Sequence, residues 1–547
     1  MLRPEKDVMG VITELEKEAI RAMAKTAGVT LTKSLKVFRA GRQIYQAENE
    51  KDLKEYLELH ATTPVEVTTY PYEFKMPPLL HQQKGFYLYK DRKYFAFFME
   101  MQTGKTKLTL DHAGYLFERG EIDALVVVAP SGVHRKWIAE EIPKHLPDRI
   151  KTEAFFWKSE STVAQEKTRA DFLLHPKVRT FQIVSFNFEA LTTLKGQNFF
   201  VEFSKSRQCM GVIDEGHYIK THNAKRTKFL LKTAGLFKYR RLLTGTPVTQ
   251  SPLDVWAQME WLSPDVFQCR SFYAFRVKHA KLQAKYVGAQ KLYEVVVGYQ
   301  RLDELSDRLE PWSYRVLKKD CLDLPPQQYR VEEVPLSPEQ KKLYVSLKEQ
   351  LFAEMGDQQM TTPIVLTKYL RLQQILGGFW TPDGDEVQKI PGKVPKLERL
   401  LELLQEIDPT SSAIIWARFV PEIKMISEAL RKEYGEESVV EYYGETSGED
   451  RQTAVQKIQE KTTRFFVGNP RAGGVGLTLN AANYMIYFSN DFSLDVRLQS
   501  EARIHGIGQT LSTCYIDLVT ENSLDQVVLK ALRSKKNLAD TITKDSL

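Results

Sequence analysis

Cysteine is scarce in this chain of 547 residues: Cys209, Cys269, Cys321 and Cys514 lie far apart, with no CxxC pair among them. That spacing argues against a disulfide scaffold and a structural zinc site, and for a reduced compartment. Long apolar runs are missing as well. The longest, at residues 94–99 and 124–130, are strand-sized and fall far short of the roughly 18 residues that span a bilayer. The opening stretch MLRPEKDVMGVITELEKEAI carries acids throughout, which fits neither a secretory nor a mitochondrial presequence. No charge sign dominates: 77 basic and 70 acidic residues leave a net charge of +7, which permits a nucleic-acid partner without requiring one. What is there, 42% apolar and 27% charged residues, is the composition of a globular chain rather than a disordered or collagen-like one. The expectation is a cytoplasmic protein with no membrane partner, long enough for about three to four domains.

Residues 8–27 read as a helix, because Val8, Val11, Ile12, Leu15, Ala19, Ile20 and Met23 recur at helical spacing and Gly28 is a natural stop. A strand-like stretch at 35–46 and a charged helix near 50–59 follow, and the proline-rich stretch 71–78 reads as a linker. Residues 1–75 are therefore expected to form a small N-terminal α/β unit. From residue 79 short apolar strands alternate with amphipathic helices, the pattern of a parallel α/β sheet. The clearest strands are 94–99, 124–129, 181–185, 211–213 and 241–243, and strands return at 413–416, 465–468, 485–488 and 513–518. The intervening stretch, 265–385, reads as mostly helical with no comparable strands. The predicted fold class is thus α/β. Two parallel-sheet lobes, 76–264 and 386–522, flank a helical insertion at 265–385, and a helix closes the chain at 523–547. A cleft between two lobes is a favoured place for ligands.

The run Glu100-Met-Gln-Thr-Gly-Lys-Thr106 stands between a buried-strand pattern and a helix over 105–117. A tight turn from strand into helix aims backbone N–H groups at one spot, which suits a triphosphate. Gly104 would let the backbone approach, Lys105 would reach the β/γ-phosphates and the Thr106 hydroxyl would hold Mg²⁺. The full GxxxxGK-S/T pattern is not met, because Met99 stands at the first glycine position. The second element decides the reading. An apolar strand ends in Asp214-Glu215-Gly216-His217, and a carboxylate at the end of a parallel strand faces the ligand crevice. Asp214 could hold the Mg²⁺ shell, and Glu215 could orient and deprotonate the attacking water.

With these residues in place the sequence resembles superfamily 2 helicases, and within them the Swi/Snf branch of ATP-dependent double-stranded DNA translocases. The motifs run in the family's order over about residues 76–520. Leu80-His-Gln82-Gln-Lys-Gly85 resembles the entry motif, which implies adenine recognition by Gln82. Met99-Glu-Met-Gln-Thr-Gly-Lys-Thr106 resembles DEMGLGKT with Gln102 in place of a glycine, so Gln102, Thr103, Gly104, Lys105 and Thr106 are implied to bind ATP. Pro130 and Ser131, followed by Trp137, and then Ser185 and Asn187, resemble segments that contact a DNA backbone. Asp214-Glu-Gly-His217 matches the DExH box, and Leu243-Thr-Gly-Thr-Pro247 is close to LTGTP, whose Thr244 and Thr246 would couple hydrolysis to lobe movement and DNA. Arg315-Val-Leu-Lys318-Lys-Asp320 with Leu324-Pro325-Pro326 looks like the stretch that ends the first helical protrusion of Swi/Snf proteins.

In the second lobe, Gly444 opens a segment that resembles a nucleic-acid-contact loop, and Ala472-Gly-Gly-Val-Gly-Leu-Thr-Leu-Asn480 resembles AGGLGLNL. This implies DNA contacts at Gly444, Gly473, Gly474 and Thr478, and a nucleotide contact at Gly476. Gln499-Ser-Glu-Ala-Arg503-Ile-His-Gly506-Ile-Gly-Gln509 resembles QAxxRxxRxGQ, with Gly506 at the second arginine position. The resemblance implies two RecA-like lobes that hydrolyse ATP with Mg²⁺, using Lys105, Asp214, Glu215, Gln499 and Arg503. It further implies a monomer that acts on double-stranded or branched DNA without sequence preference. An arginine finger is worth about 10³–10⁵ in rate in phosphoryl-transfer enzymes, so losing one should spare nucleotide binding more than hydrolysis. The alternatives are an RNA helicase, which shares the lobes and the DExH chemistry, and a nucleotide-gated DNA clamp with weak hydrolysis, suggested by Gly506 and Gln102.

Overall fold

A computed structural model describes the backbone of residues 29–31, 37–40 and 43–46, and residues 72–547 apart from 175–178, 270, 288–289, 357–361, 383–385, 474–476 and 546–547. The helix expected at 8–27, the charged helix near 50–59, and Gly474 and Gly476 lie outside the described residues. Strands β1 (Val29–Leu31), β2 (Val37–Ala40) and β3 (Gln43–Gln46) form a small antiparallel sheet in that order.

The first lobe is built on β4 (Tyr94–Met99), β5 (Ala124–Ala129), β6 (Thr152–Phe156), β7 (Phe181–Asn187), β8 (Cys209–Asp214) and β9 (Phe237–Leu243). β4 and β5 are apolar on both faces because both faces are covered, and their alternate residues divide between two cores. Phe95, Phe97, Met99, Leu125, Val127 and Ala129 join one core, whereas Ala96, Phe98, Ala124, Val126 and Val128 join the other.

The stretch expected to be mostly helical differs from that expectation. It carries an antiparallel hairpin, β10 (Ala280–Val287) and β11 (Gln290–Tyr299), and two strands that enter the main sheets. β12 (Ser313–Val316) pairs with β4 and completes a seven-stranded parallel sheet of order β12-β4-β9-β8-β5-β7-β6. β13 (Gln327–Val334) pairs with β20 of the second sheet, so the chain crosses between lobes over residues 317–326. The physical reason is alternation: Leu282, Ala284 and Tyr286 interleave with Lys281, Gln283 and Lys285, a two-residue period that fits a strand.

After a short hairpin, β14 (Phe379–Trp380) and β15 (Gln388–Lys389), the second lobe follows with β16 (Ala413–Trp416), β17 (Val439–Tyr442), β18 (Phe465–Gly468), β19 (Tyr484–Tyr487) and β20 (Thr513–Thr520). Its six-stranded parallel sheet has the order β13-β20-β19-β16-β18-β17. Ala413 and Ile415 face one core, Ile414 and Trp416 the other. The helix Leu524–Thr543, capped by Ser523, packs Leu524, Val528 and Leu532 beside Leu494 of the second lobe. Its far end returns to the first lobe: Ile542 enters that lobe's core, and the Ser306 hydroxyl donates to the Ile542 carbonyl at 2.8 Å. No described helix is long and apolar enough to cross a membrane.

Candidate active site between the lobes

The loop after β4 is shaped by its own hydrogen bonds. Thr103 donates its hydroxyl to the Glu100 carbonyl at 2.7 Å, and Gly104, at φ 87°, caps the helix Lys105–Glu118 in a left-handed conformation. A side chain at 104 would also collide with Gln82, whose Nε2 lies 2.1 Å from the Cβ position. Glycine is required here on both counts. The Gln82 amide is engaged by the protein itself, donating to the Thr103 carbonyl at 3.1 Å and accepting from the Leu79 N–H at 3.0 Å. Lys105 is buried and folds back over the loop, donating to the Met99 carbonyl at 2.9 Å and the Glu100 carbonyl at 3.1 Å. Burial lowers its pKa, opposed by Glu215, Asp214 and Glu100. Thr106 follows in the first helical turn, half-buried.

β8 delivers Asp214 to the same end of the sheet. Burial raises the Asp214 pKa and neighbouring Glu215 adds to the rise, while Trp137 and Lys105 oppose it. Trp137, fully buried in the π-helical turn Trp137–Glu141, donates its indole N–H to Asp214 Oδ2 at 2.9 Å. Glu215 adopts a left-handed backbone, φ 54° and ψ 60°, a conformation that a non-glycine residue holds only when its surroundings enforce it. Its Oε2 is buried without a hydrogen-bond partner among the described residues, 3.5 Å from His217 Nδ1. Burial raises the Glu215 pKa, and Lys105 and Arg503 lower it. His217 sits 3.3 Å from the Thr244 hydroxyl and, through Nε2, 3.9 Å from Asp495 of the second lobe. Burial depresses its pKa to about 4, so the imidazole is neutral at pH 7.

The second lobe contributes Arg503, which donates to the Leu477 carbonyl at 3.1 Å. Burial brings its pKa down to about 10, with Glu215 opposing from across the cleft. Lys105 from the helix start after β4, Asp214 and Glu215 from the end of β8, and Arg503 from the other lobe therefore share one field. Gln499 is buried in the helix Leu494–Glu501. Gln102, with φ 65°, reaches across and donates its Nε2 to the Ala502 carbonyl at 3.0 Å.

The residues expected to touch DNA are less uniform. Ser131, Gly444 and Thr478 are exposed, Asn187 is half-buried with its Oδ1 accepting from the Ala190 N–H, and Pro130 is buried. Ser185 does not reach the surface: its hydroxyl is buried and donates to the His134 carbonyl at 2.7 Å, which fixes the turn below Ser131. Thr246 is buried and Gly473 ends the short helix Pro470–Gly473. Sequence reasoning placed Trp137 in a DNA-contacting segment, whereas the indole is buried on Asp214. The crossing residue Lys318 was missed as well. Its ammonium donates to the His505 carbonyl at 2.5 Å, and its pKa falls to about 8 through burial. Its place in the Arg315–Pro326 motif was the available signal.

Comparison with known proteins agrees with this architecture. The SNF2-related domain matches residues 96–377, just over half of the chain, and the helicase conserved C-terminal domain matches residues 395–508. The ISWI chromatin-remodeling complex ATPase CHR17 of Arabidopsis thaliana is 28% identical over 80% of this chain and 39% of its own length. The putative ATP-dependent helicase/translocase YwqA of Bacillus subtilis is 26% identical over 60% of this chain and 35% of its own length. The chain thus spans about two fifths of the length of these relatives. A solved Sulfolobus solfataricus SWI2/SNF2 ATPase core in complex with dsDNA is 23% identical and covers 87% of this chain and 94% of that one, with a loose superposition at a TM-score of 0.38. With two parallel-sheet lobes that bring Lys105, Asp214, Glu215 and Arg503 together, the chain belongs to the SNF2-related family and carries a helicase conserved C-terminal domain.

Proposed function

We propose that the chain is an ATP-dependent translocase on double-stranded DNA, hydrolysing ATP between its lobes to remodel DNA or DNA–protein complexes. The observation that carries this reading is the convergence of Lys105, Asp214 and Glu215 of the first lobe with Arg503 of the second, close enough that the Glu215 and Arg503 charges influence each other. Lys105 offsets phosphate charge from the loop, and Arg503 does so from the opposite lobe. Burial raises the proton affinity of Glu215, which suits a base that takes a proton from the attacking water. Gln499, buried in the helix Leu494–Glu501, would act from the second-lobe side. Thr106 and Asp214 would hold Mg²⁺: both offer hard oxygen donors, and Asp214 Oδ1 and Oδ2 each accept one hydrogen bond and keep a lone pair. The ion supplies charge stabilisation on the phosphates when bound.

The organisation that goes with this reading is an accessory unit at 1–75, lobes at 76–264 and 386–522, an insertion at 265–385 and a closing helix at 523–547. Hydrolysis groups on both sides of one cleft tie ATP occupancy to lobe closure. Exposed Ser131, Gly444 and Thr478 would grip phosphates, so binding is sequence-nonspecific and weakens steeply with salt. Steady-state ATP hydrolysis with no nucleic acid, single-stranded DNA, duplex DNA and RNA tests the reading. Duplex DNA should stimulate most. Preferential stimulation by RNA overturns the DNA assignment, and duplex binding without hydrolysis replaces the motor by a nucleotide-gated clamp.

A further inference from the structure

Gln102 and Gly506, far apart in the chain, occupy one volume at the cleft. A Cβ built on Gly506 would lie 1.3 Å from Gln102 Oε1 and 2.5 Å from its Cδ. Gln102 holds this place in spite of two penalties: a left-handed backbone, φ 65°, and a buried Oε1 with no hydrogen-bond partner among the described residues. Its Nε2 meanwhile bonds to the Ala502 carbonyl across the cleft at 3.0 Å. Lys318 takes the His505 carbonyl at 2.5 Å. The backbone on either side of Arg503 is thus pinned by two donors from outside the second lobe.

We propose that Gln102 is a positioning residue for Arg503 and that Gln102 and Gly506 form one coupled pair, the phosphate-loop side chain filling the place that a side chain at 506 would need. The two departures from the sequence pattern are then a single replacement. An arginine introduced at 506 on its own must evict the Gln102 amide and break its bond to Ala502, so it does not restore a second cation. This inference rests on the hydrolytic reading above for its rate readout, while the steric part stands without it.

The test is a double-mutant cycle of Gln102→Gly and Gly506→Arg, with Gln102→Met added to keep the volume and remove the donor. kcat and KM for ATP are measured with saturating duplex DNA, and thermal unfolding is measured for each variant. Gly506→Arg alone is expected to lower kcat about tenfold or more, and the double variant to recover at least the starting rate. Gln102→Met is expected to lower kcat about three- to tenfold with KM changed less than about twofold, a split that a purely structural loss would not give. The midpoints should show the same non-additivity, Gly506→Arg lowering the midpoint and the double variant regaining it. Independent effects, with the double variant equal to the product of the singles in both readouts, overturn the proposal. So does a fully active Gly506→Arg. If no variant hydrolyses ATP with any nucleic acid, the functional reading fails, and the unfolding cycle alone decides the coupling.

Discussion

Trp137 and Asp214 meet through an indole N–H and a carboxylate oxygen 2.9 Å apart, 77 residues apart in the chain and both buried. The contact joins the π-helical turn after β5 to the end of β8 and aims the carboxylate from behind. Trp137→Phe keeps most of the volume and removes the donor, leaving a buried acceptor short of a hydrogen bond worth about 1.5–3 kcal/mol to a charged group. The expected result is a loss of that order in unfolding free energy and a fall in kcat of about tenfold, with nucleotide affinity changed little. Wild-type kcat in a folded Trp137→Phe variant would remove Trp137 from the site.

Arg503 is half-buried, and its charge interacts with Glu215 of the first lobe. Arg503→Ala should lower DNA-stimulated hydrolysis by about 10³-fold or more while leaving ATP-analogue binding within about threefold. Equal losses in binding and rate would assign it to ground-state binding instead.

Glu422 gives a pH signature in the second lobe. Its carboxyl is fully buried, accepts from Ser489 at 2.6 Å and from the Phe419 N–H at 3.2 Å, and burial pushes its pKa up from 4.5 to about 7. The folded lobe therefore keeps this proton to higher pH than the unfolded chain does. Native protein binds more protons between pH 4.5 and about 7, so this group's contribution to stability falls as pH rises through that window. Glu422→Gln should remove the fall, which amounts to about 3 kcal/mol. Urea unfolding of both proteins at pH 5 and pH 7.5 checks it, and identical pH slopes would contradict the assignment.

Asp545 receives the Arg315 guanidinium at 2.8 and 2.5 Å, and the same arginine donates to the Phe98 and Gly245 carbonyls at 3.0 and 3.1 Å. Asp545→Ala should loosen the end of the closing helix by about 1–3 kcal/mol, because a partly buried guanidinium loses its counter-charge. Amide hydrogen exchange over residues 538–544 should quicken, with exchange in β16 unchanged; unaltered exchange over 538–544 would show that Ile542 packing alone holds the helix.

Much of the fold was legible. The six apolar residues of β4 and the carboxylates ending β8 have local signals, because a strand buried on both faces cannot be polar. The hairpin β10–β11 was missed although its alternation is visible, because charged residues dominate that stretch. The inward turn of Ser185 was not legible, since the face a strand residue takes depends on what packs against it. Nor was the pairing of Gln102 with the 502–506 backbone: its partners are 400 residues apart, and each looked like a separate departure.

The helix Leu524–Thr543 has a mechanical consequence. At about 1.5 Å per residue it is a stiff rod of about 30 Å, seated at one end on Leu494 of the second lobe and at the other, through Ile542, in the core of the first. The crossing at residues 317–326 is another link between the sheets, and the Gln102 bond to the Ala502 carbonyl is a further contact from lobe to lobe. A rod held at both ends resists any displacement of the lobes that changes the distance between its two seats.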